Sequence, residues 1–275
     1  GWGGFWFWDP VENSSLMPWF IMTALIHSIV VLEKREKLYN WVIVLSLSTF
    51  ILSVTGTFLV RSGVLNSVHT FANDPTRGIY LLSFLSLMVF FSIYLFFKKK
   101  NYESYNFHFN SRETFILLNN WLMAFFLVTV FIGTVYPIFT EVLYQTKISV
   151  GPPFFNIVII PLVIPLLIFM AIGPKISWIK NKLFKYKQSL LLLISSIIIC
   201  ILISLNSNHS ILFYLIMVSS LVLILHSFID FINSFKEKNY ANFSRIISHL
   251  GFGMLIFFIG FNHVYSLEKD FNLKV

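Results

Sequence analysis

The run LLLLISSIIICILISL, residues 190–205, carries no charge and no alternation of polar with apolar side chains. A strand of a membrane barrel would alternate over about ten positions. In hydrocarbon every backbone polar group must be paired within its own segment, so an uncharged run of this length reads as a spanning helix. Seven further stretches approach the ~20 apolar residues that a crossing requires. Together the eight are roughly 16–32, 41–59, 79–97, 114–136, 156–173, 189–205, 211–231 and 246–262. The expected fold is therefore all-α and integral to a membrane: a polytopic bundle of about eight transmembrane helices. Pro161 and Pro165 are expected to kink the fifth. The chain divides into an outer tryptophan-rich segment (1–15), the bundle (16–262, with an outer loop at 60–78) and the start of a further outer segment (263–275).

Composition agrees. Of the 275 residues 57% are hydrophobic and 12% charged, about half the charged share of a soluble domain. Mean hydropathy is +0.78. A disordered chain, a disulfide scaffold and an ordinary soluble enzyme are excluded, and the single Cys200 leaves no internal disulfide or thiolate cluster. The net charge of +8 follows from topology. Fifteen of the 20 Lys and Arg residues fall in the connections 33–40, 98–113, 174–188 and 232–245, whereas the opposite set holds only Arg61, Arg77, Lys147, Lys269 and Lys274. Acids are spread almost evenly. By the positive-inside rule the first set faces the cytoplasm or matrix and the second the periplasm or its equivalent. No basic face is left for nucleic acid. The chain opens on Gly1 without a signal peptide, so it is expected to be an internal piece of a longer protein.

The first fifteen residues, GWGGFWFWDPVENSS, put Trp2, Phe5, Trp6, Phe7 and Trp8 within seven positions and contain no basic residue. Such a strip suits the lipid–water boundary, and Gly3 and Gly4 let the backbone bend or approach a ligand closely. The Asp-Pro-Val-Glu-Asn run that follows reads as a turn into the first span. Five rings beside two glycines suggest a platform for a flat hydrophobic ligand.

Imidazoles are costly inside a bilayer, which singles out three of the seven histidines. His27 lies about 8 Å from the inner end of the first span. His249 lies just inside the last span and His226 at similar depth in the seventh, so depth alone does not choose between them. Two histidines on facing helices can hold one iron; a histidine bonded to a neighbouring Ser or carbonyl is the plainer reading. His226, with Asp230 four residues on, is expected to form a local His–Asp pair. His69 falls in the outer loop, on the face of the aromatic strip, with Arg61 and Arg77 the nearest basic residues. His108 and His209 are expected to be solvated, and His263 lies on the outer face.

The segment Trp2 to Asn13 resembles the tryptophan-rich "WWD" domain of heme-handling membrane proteins. Its continuation, Leu16-Met17-Pro18-Trp19 and Thr23-Ala24-Leu25-Ile26-His27-Ser28, is similar to the CcmF family, the heme lyase component of cytochrome c maturation. Three further blocks agree: Gly56 to Leu65 with Ser67-Val68-His69 and Asp74-Pro75; Gly151 to Asn156; and Ser248-His249-Leu250-Gly251 leading to Tyr265-Ser266. Phe5 stands where the family commonly has Trp and Ser14 where it has Ala, and both changes preserve a flat apolar surface. The resemblance implies a transmembrane heme b with His27 and His249 as axial ligands. It implies a second heme, the substrate, on Trp2, Gly3, Gly4, Trp6, Trp8 and Asp9, with His69 on its iron; Arg61 and Arg77, the basic residues nearest His69 in sequence, are expected either to neutralise its propionates or to anchor in headgroups. The implied reaction joins heme to the Cys-x-x-Cys-His segment of apocytochrome c, with no catalytic side chain singled out. Implied partners are a heme chaperone, thiol-reducing and apocytochrome-presenting subunits, and quinol as electron source. The implied location is the bacterial inner membrane, or the mitochondrial one. The rival expectations are a heme-delivery or export subunit and a transporter without heme.

Overall fold

The computed structural model describes residues 6–65, 67, 74–98, 107–179, 186–204 and 209–265. Among them are eight helices long and apolar enough to cross a membrane, and no strand. They are α1 (Pro10–Arg35), α2 (Tyr39–Arg61), α3 (Pro75–Lys98), α4 (Arg112–Tyr144), α5 (Pro152–Ile172), α6 (Tyr186–Ile203), α7 (Ile211–Lys236) and α8 (Phe243–Tyr265), with a single 3₁₀ turn, Gly173–Lys175, after α5. The chain is thus the helical membrane protein that its apolar runs predict.

Two helices run well beyond the expected spans. Helix α1 starts at Pro10 and so absorbs the Asp-Pro-Val-Glu-Asn run that was expected to be a turn. Asp9 caps the helix by accepting from the Val11 N–H at 2.9 Å, and Glu12 Oε2 accepts from the Asp9 N–H at 3.1 Å. That is a capping box, with Pro10 at the first helical position where its missing N–H costs nothing. Helix α4 continues past Pro137 to Tyr144. Its 33 residues make a rod of roughly 50 Å at the α-helical rise, longer than the ~30 Å hydrocarbon core. Helix α5 is assigned without interruption through Pro161 and Pro165.

The helices fall into two compact units, residues 1–159 with 178–180 and residues 160–177 with 181–275. In the first unit α1 packs on both α2 and α4, and α2 also packs on α3. The α1–α4 contact is an antiparallel seam. Asn13 donates to Thr134 Oγ1 at 3.1 Å, the rings of Phe20 and Phe126 meet at 5.7 Å, and Asn120 donates to Ser28 Oγ at 2.8 Å. At its far end Arg35 Nε and Lys37 Nζ clamp the Glu113 carboxylate at 2.5 and 2.8 Å. These rungs recur at about every seven residues, the spacing at which one stripe of a helix keeps facing a partner. Apolar Met17 and Ala24 of α1 and Met123 and Val130 of α4, at positions between the rungs, are buried. Against α2, Gly56 lets the backbones close: a Cβ there would lie 3.0 Å from the Ser14 carbonyl oxygen, the small-residue approach that replaces hydrophobic drive between helices in lipid.

The second unit is centred on α7, which packs on α6 and α8. Leu167 and Ala171 of α5 join Val222 and Leu223 of α7 in one buried cluster, and Cys200, Met217 and Leu221 form another.

The Glu113 clamp fixes this end of the seam, because the carboxylate is 3% exposed and both its partners are cations. Glu113→Gln is expected to lower the unfolding free energy in mild detergent by about 1–3 kcal/mol. Unchanged thermal and denaturant midpoints would show that the clamp contributes nothing.

Candidate functional site

The described part of the aromatic strip is built into the N-terminus of α1. Trp8, immediately before the capping residue, has φ 59°, a left-handed conformation that costs a non-glycine residue about 1–2 kcal/mol. Several contacts hold it there. Asn13 donates from Nδ2 to the Trp8 carbonyl at 3.0 Å, and Glu12 Oε2 accepts from the Phe7 N–H at 2.9 Å as well as from Asp9. The Trp8 indole stacks on Phe155 at a centroid distance of 4.4 Å and an interplanar angle of 11°. Trp6 meets Trp8 edge to face at 6.0 Å and 85°. The two indoles are therefore set at right angles rather than paved side by side. Both are half-buried, while Phe7 is 51% exposed.

Residues far away in sequence carry this mount. Phe155 is fully buried, and its ring lies over Gly133 of α4, where a Cβ would come within 2.6 Å of it. Asn13, 1% exposed, spans the gap between the Trp8 carbonyl and Thr134. Neither Gly133, Thr134 nor Phe155 is marked as a site residue by the sequence reading. The Asp9–Glu12 spacing was a legible signal for the cap, whereas Phe155 reaches Trp8 only through tertiary packing.

Of the other site residues expected from sequence, Trp2, Gly3, Gly4 and His69 lie outside the described residues. Ser67, two positions before His69 in the chain, donates to both carboxylate oxygens of Asp9, at 2.6 and 2.8 Å. The Asp9 carboxylate thus caps α1 and holds Ser67 against the start of the helix. Arg61 ends α2 with an exposed side chain, and its carbonyl accepts from the Asp74 N–H at 3.2 Å. Arg77 pairs with Asp74 at 3.1 Å.

His27 is half-buried on α1, with Nδ1 2.8 Å from the Thr23 carbonyl. A carbonyl can only accept, so Nδ1 carries a proton here. Metal-ligating histidines commonly hold one ring N–H against a carbonyl in this way. His249 is half-buried on α8, in the second unit. His27 and His249 are imidazoles of the kind that ligates heme iron, and the Trp6 and Trp8 indoles, at the other end of α1, are flat apolar surfaces of the kind on which a porphyrin packs.

The other histidines bring two corrections. His226 is 2% exposed, but neither of its ring nitrogens has a hydrogen-bond partner among the described residues. The expected His226–Asp230 bond is not made. Asp230 turns instead to two cations, Lys175 at 3.5 Å and Arg245 at 3.7 Å, which a carboxylate prefers to a neutral ring. His209, expected to be solvated, packs against Phe213 at 4.6 Å and Tyr265 at 5.7 Å. His108 is exposed as expected. The His263 side chain lies outside the described residues.

Comparison with known proteins identifies the scaffold. The family described as "Cytochrome C assembly protein" matches residues 1–65. The cytochrome c-type biogenesis protein CcmF of Haemophilus influenzae is 35% identical over 302 residues, covering 100% of this chain and 45% of the relative. CcmF of Escherichia coli is 35% identical over 282 residues, covering 100% of this chain and 44% of the relative. CcmF of Pseudomonas aeruginosa reaches 48% over 180 residues, 65% of this chain and 27% of the relative. A solved structure titled "Cytochrome c Heme Lyase CcmF" shares the fold, with a TM-score of 0.74 over 96% of this chain and 41% of that one at 24% identity. This chain spans less than half the length of the relatives it matches end to end. Over that span it belongs to the CcmF family of cytochrome c-type biogenesis proteins.

Proposed function

We propose that this chain is the heme-holding membrane part of a cytochrome c heme lyase. It lies in a bacterial-type inner membrane, with its tryptophan-rich segment on the periplasmic face. The observation that carries this reading is the Trp8 mount: a strained aromatic residue held by Asn13, Glu12 and Phe155. Left-handed backbone at a bulky residue persists only where surrounding contacts over-determine it, and such strain collects at ligand sites.

In this reading Trp6, Trp8 and the preceding residues Trp2, Gly3 and Gly4 hold the substrate heme by its apolar face. Asp9 acts through structure: it caps α1 and accepts from Ser67, two positions before His69 in the chain. His69 then ligates the iron of the substrate heme and Arg61 neutralises propionate charge. Thiols of an apocytochrome Cys-x-x-Cys-His segment add across the vinyl groups, each forming a C–S bond while its proton goes to the vinyl carbon. The protein supplies position and electrostatics, and the porphyrin supplies the reactive atoms. A second, resident b-type heme supplies one-electron transfer from quinol when bound. His27 and His249 are its proposed ligands, and the Thr23 carbonyl holds the His27 ring by its Nδ1–H for that role. A heme chaperone delivers the porphyrin, and thiol-reducing and apocytochrome-presenting subunits deliver the peptide.

Two experiments test this reading. The full-length protein, purified in detergent under reduction, is expected to show a b-type heme spectrum that His27→Ala and His249→Ala each abolish. Wild-type heme content in both variants would sink the ligand assignment. Asn13→Ala removes the bond to the Trp8 carbonyl, and Gly133→Ala drives a methyl into the Phe155 ring. Each is expected to weaken heme retention at the outer site about fivefold, the equivalent of ~1 kcal/mol, while leaving the b-type spectrum intact. Placed in the His249→Ala background, where the outer site is the one expected to keep heme, each variant's total heme by pyridine hemochrome after loading reads outer-site retention, and unaltered retention would dismiss the mount.

A further inference from the structure

At one end of the second unit two cations share a single carboxylate. Lys175, after α5, lies 3.5 Å from Asp230 Oδ1, and Arg245, in the first turn of α8, lies 3.7 Å from Oδ2. Both distances exceed the 2.7–3.2 Å of a good hydrogen bond. Neither cation has another hydrogen-bond partner among the described residues. An ammonium has three donors and a guanidinium five, so most of this donor capacity is left over. The side chains are only 21% and 34% exposed, a setting in which unmatched positive charge is costly.

Helices α7 and α8 run antiparallel: Gly260 packs on Met217, Gly253 on Leu223 and Ile224, and Arg245 pairs with Asp230. One turn further into the unit from that pair, about 6 Å along each axis, stand His226 on α7 and His249 on α8. His226 is the buried imidazole with neither nitrogen bonded among the described residues. Surplus cationic donors thus sit one turn from the proposed iron ligand, beside an unsatisfied polar side chain.

We propose that Lys175 and Arg245 form the carboxylate-binding end of the site in which His249 ligates iron and hold the propionates of that heme, with Asp230 keeping the two cations in place. The inference rests on the reading of His249 as a ligand. Positive charge here disfavours the ferric state, because the oxidised heme carries one more positive charge than the reduced one. Asp230 acts in the opposite sense.

The test is redox titration of the b-type heme in the full-length protein, followed in the visible spectrum. Arg245→Gln and Lys175→Gln are each expected to shift the reduction equilibrium about tenfold toward ferric heme, a potential lower by ~59 mV. Asp230→Asn is expected to shift it in the opposite direction, and Arg245→Lys to stay near wild type. General loosening of the fold would not give shifts of opposite sign with an unchanged ligand spectrum. Potentials that stay put, or move the same way in all variants, overturn the proposal and leave the cations as headgroup anchors. A wild-type protein without a b-type heme, or a His249→Ala variant that keeps it, defeats the ligand reading instead.

Discussion

Hydrocarbon offers polar groups no hydrogen bonds, so a polar side chain buried in this bundle is stabilised by a partner elsewhere in the chain. Helices α1 and α4 meet that demand with each other. Asn13 bonds Thr134, Asn120 bonds Ser28, and Arg35 and Lys37 neutralise Glu113, each at a separate level of one antiparallel seam. Apolar side chains alone would pack with lipid almost as well as with each other. The polar rungs give the pair a single register, and that register decides what stands at the seam's far end.

There the seam and the candidate site become one structure. Asn13 contributes one N–H to Thr134 and the other to the Trp8 carbonyl, so the α1–α4 register also sets the turn that carries the indole. Gly133, next to Thr134, leaves the notch in which the Phe155 ring sits beneath Trp8. The left-handed backbone at Trp8 is sustained by neighbours from three helices. An aromatic strip without this mount would be an interfacial anchor; with it, the rings have defined positions and angles.

The second unit uses the same economy differently. Leu167, Ala171, Val222 and Leu223 are in contact near its middle, and the charged Lys175, Asp230 and Arg245 meet toward one end. Asp230 is drawn to Lys175 and Arg245 rather than to the nearer-in-sequence His226, because full charges attract more strongly than a neutral imidazole in a low dielectric. Spacing along α7 correctly placed His226 and Asp230 on one face. It held no information about the cations that α8 and the end of α5 bring to that face.

The eight spans were legible in the sequence because a bilayer imposes a length and a hydropathy that local composition must meet. The aromatic strip and its Asp9–Glu12 cap are equally local, although the cap's spacing marks a helix start where the run around Pro10 suggested a turn. The extension of α4 past Pro137 and the perpendicular setting of Trp6 and Trp8 belong to tertiary structure. So do the Phe155 support and the exchange of His226 for two cations at Asp230. Each depends on which residues of other helices arrive at the same depth, and helix packing sets that depth where no short stretch of sequence can encode it.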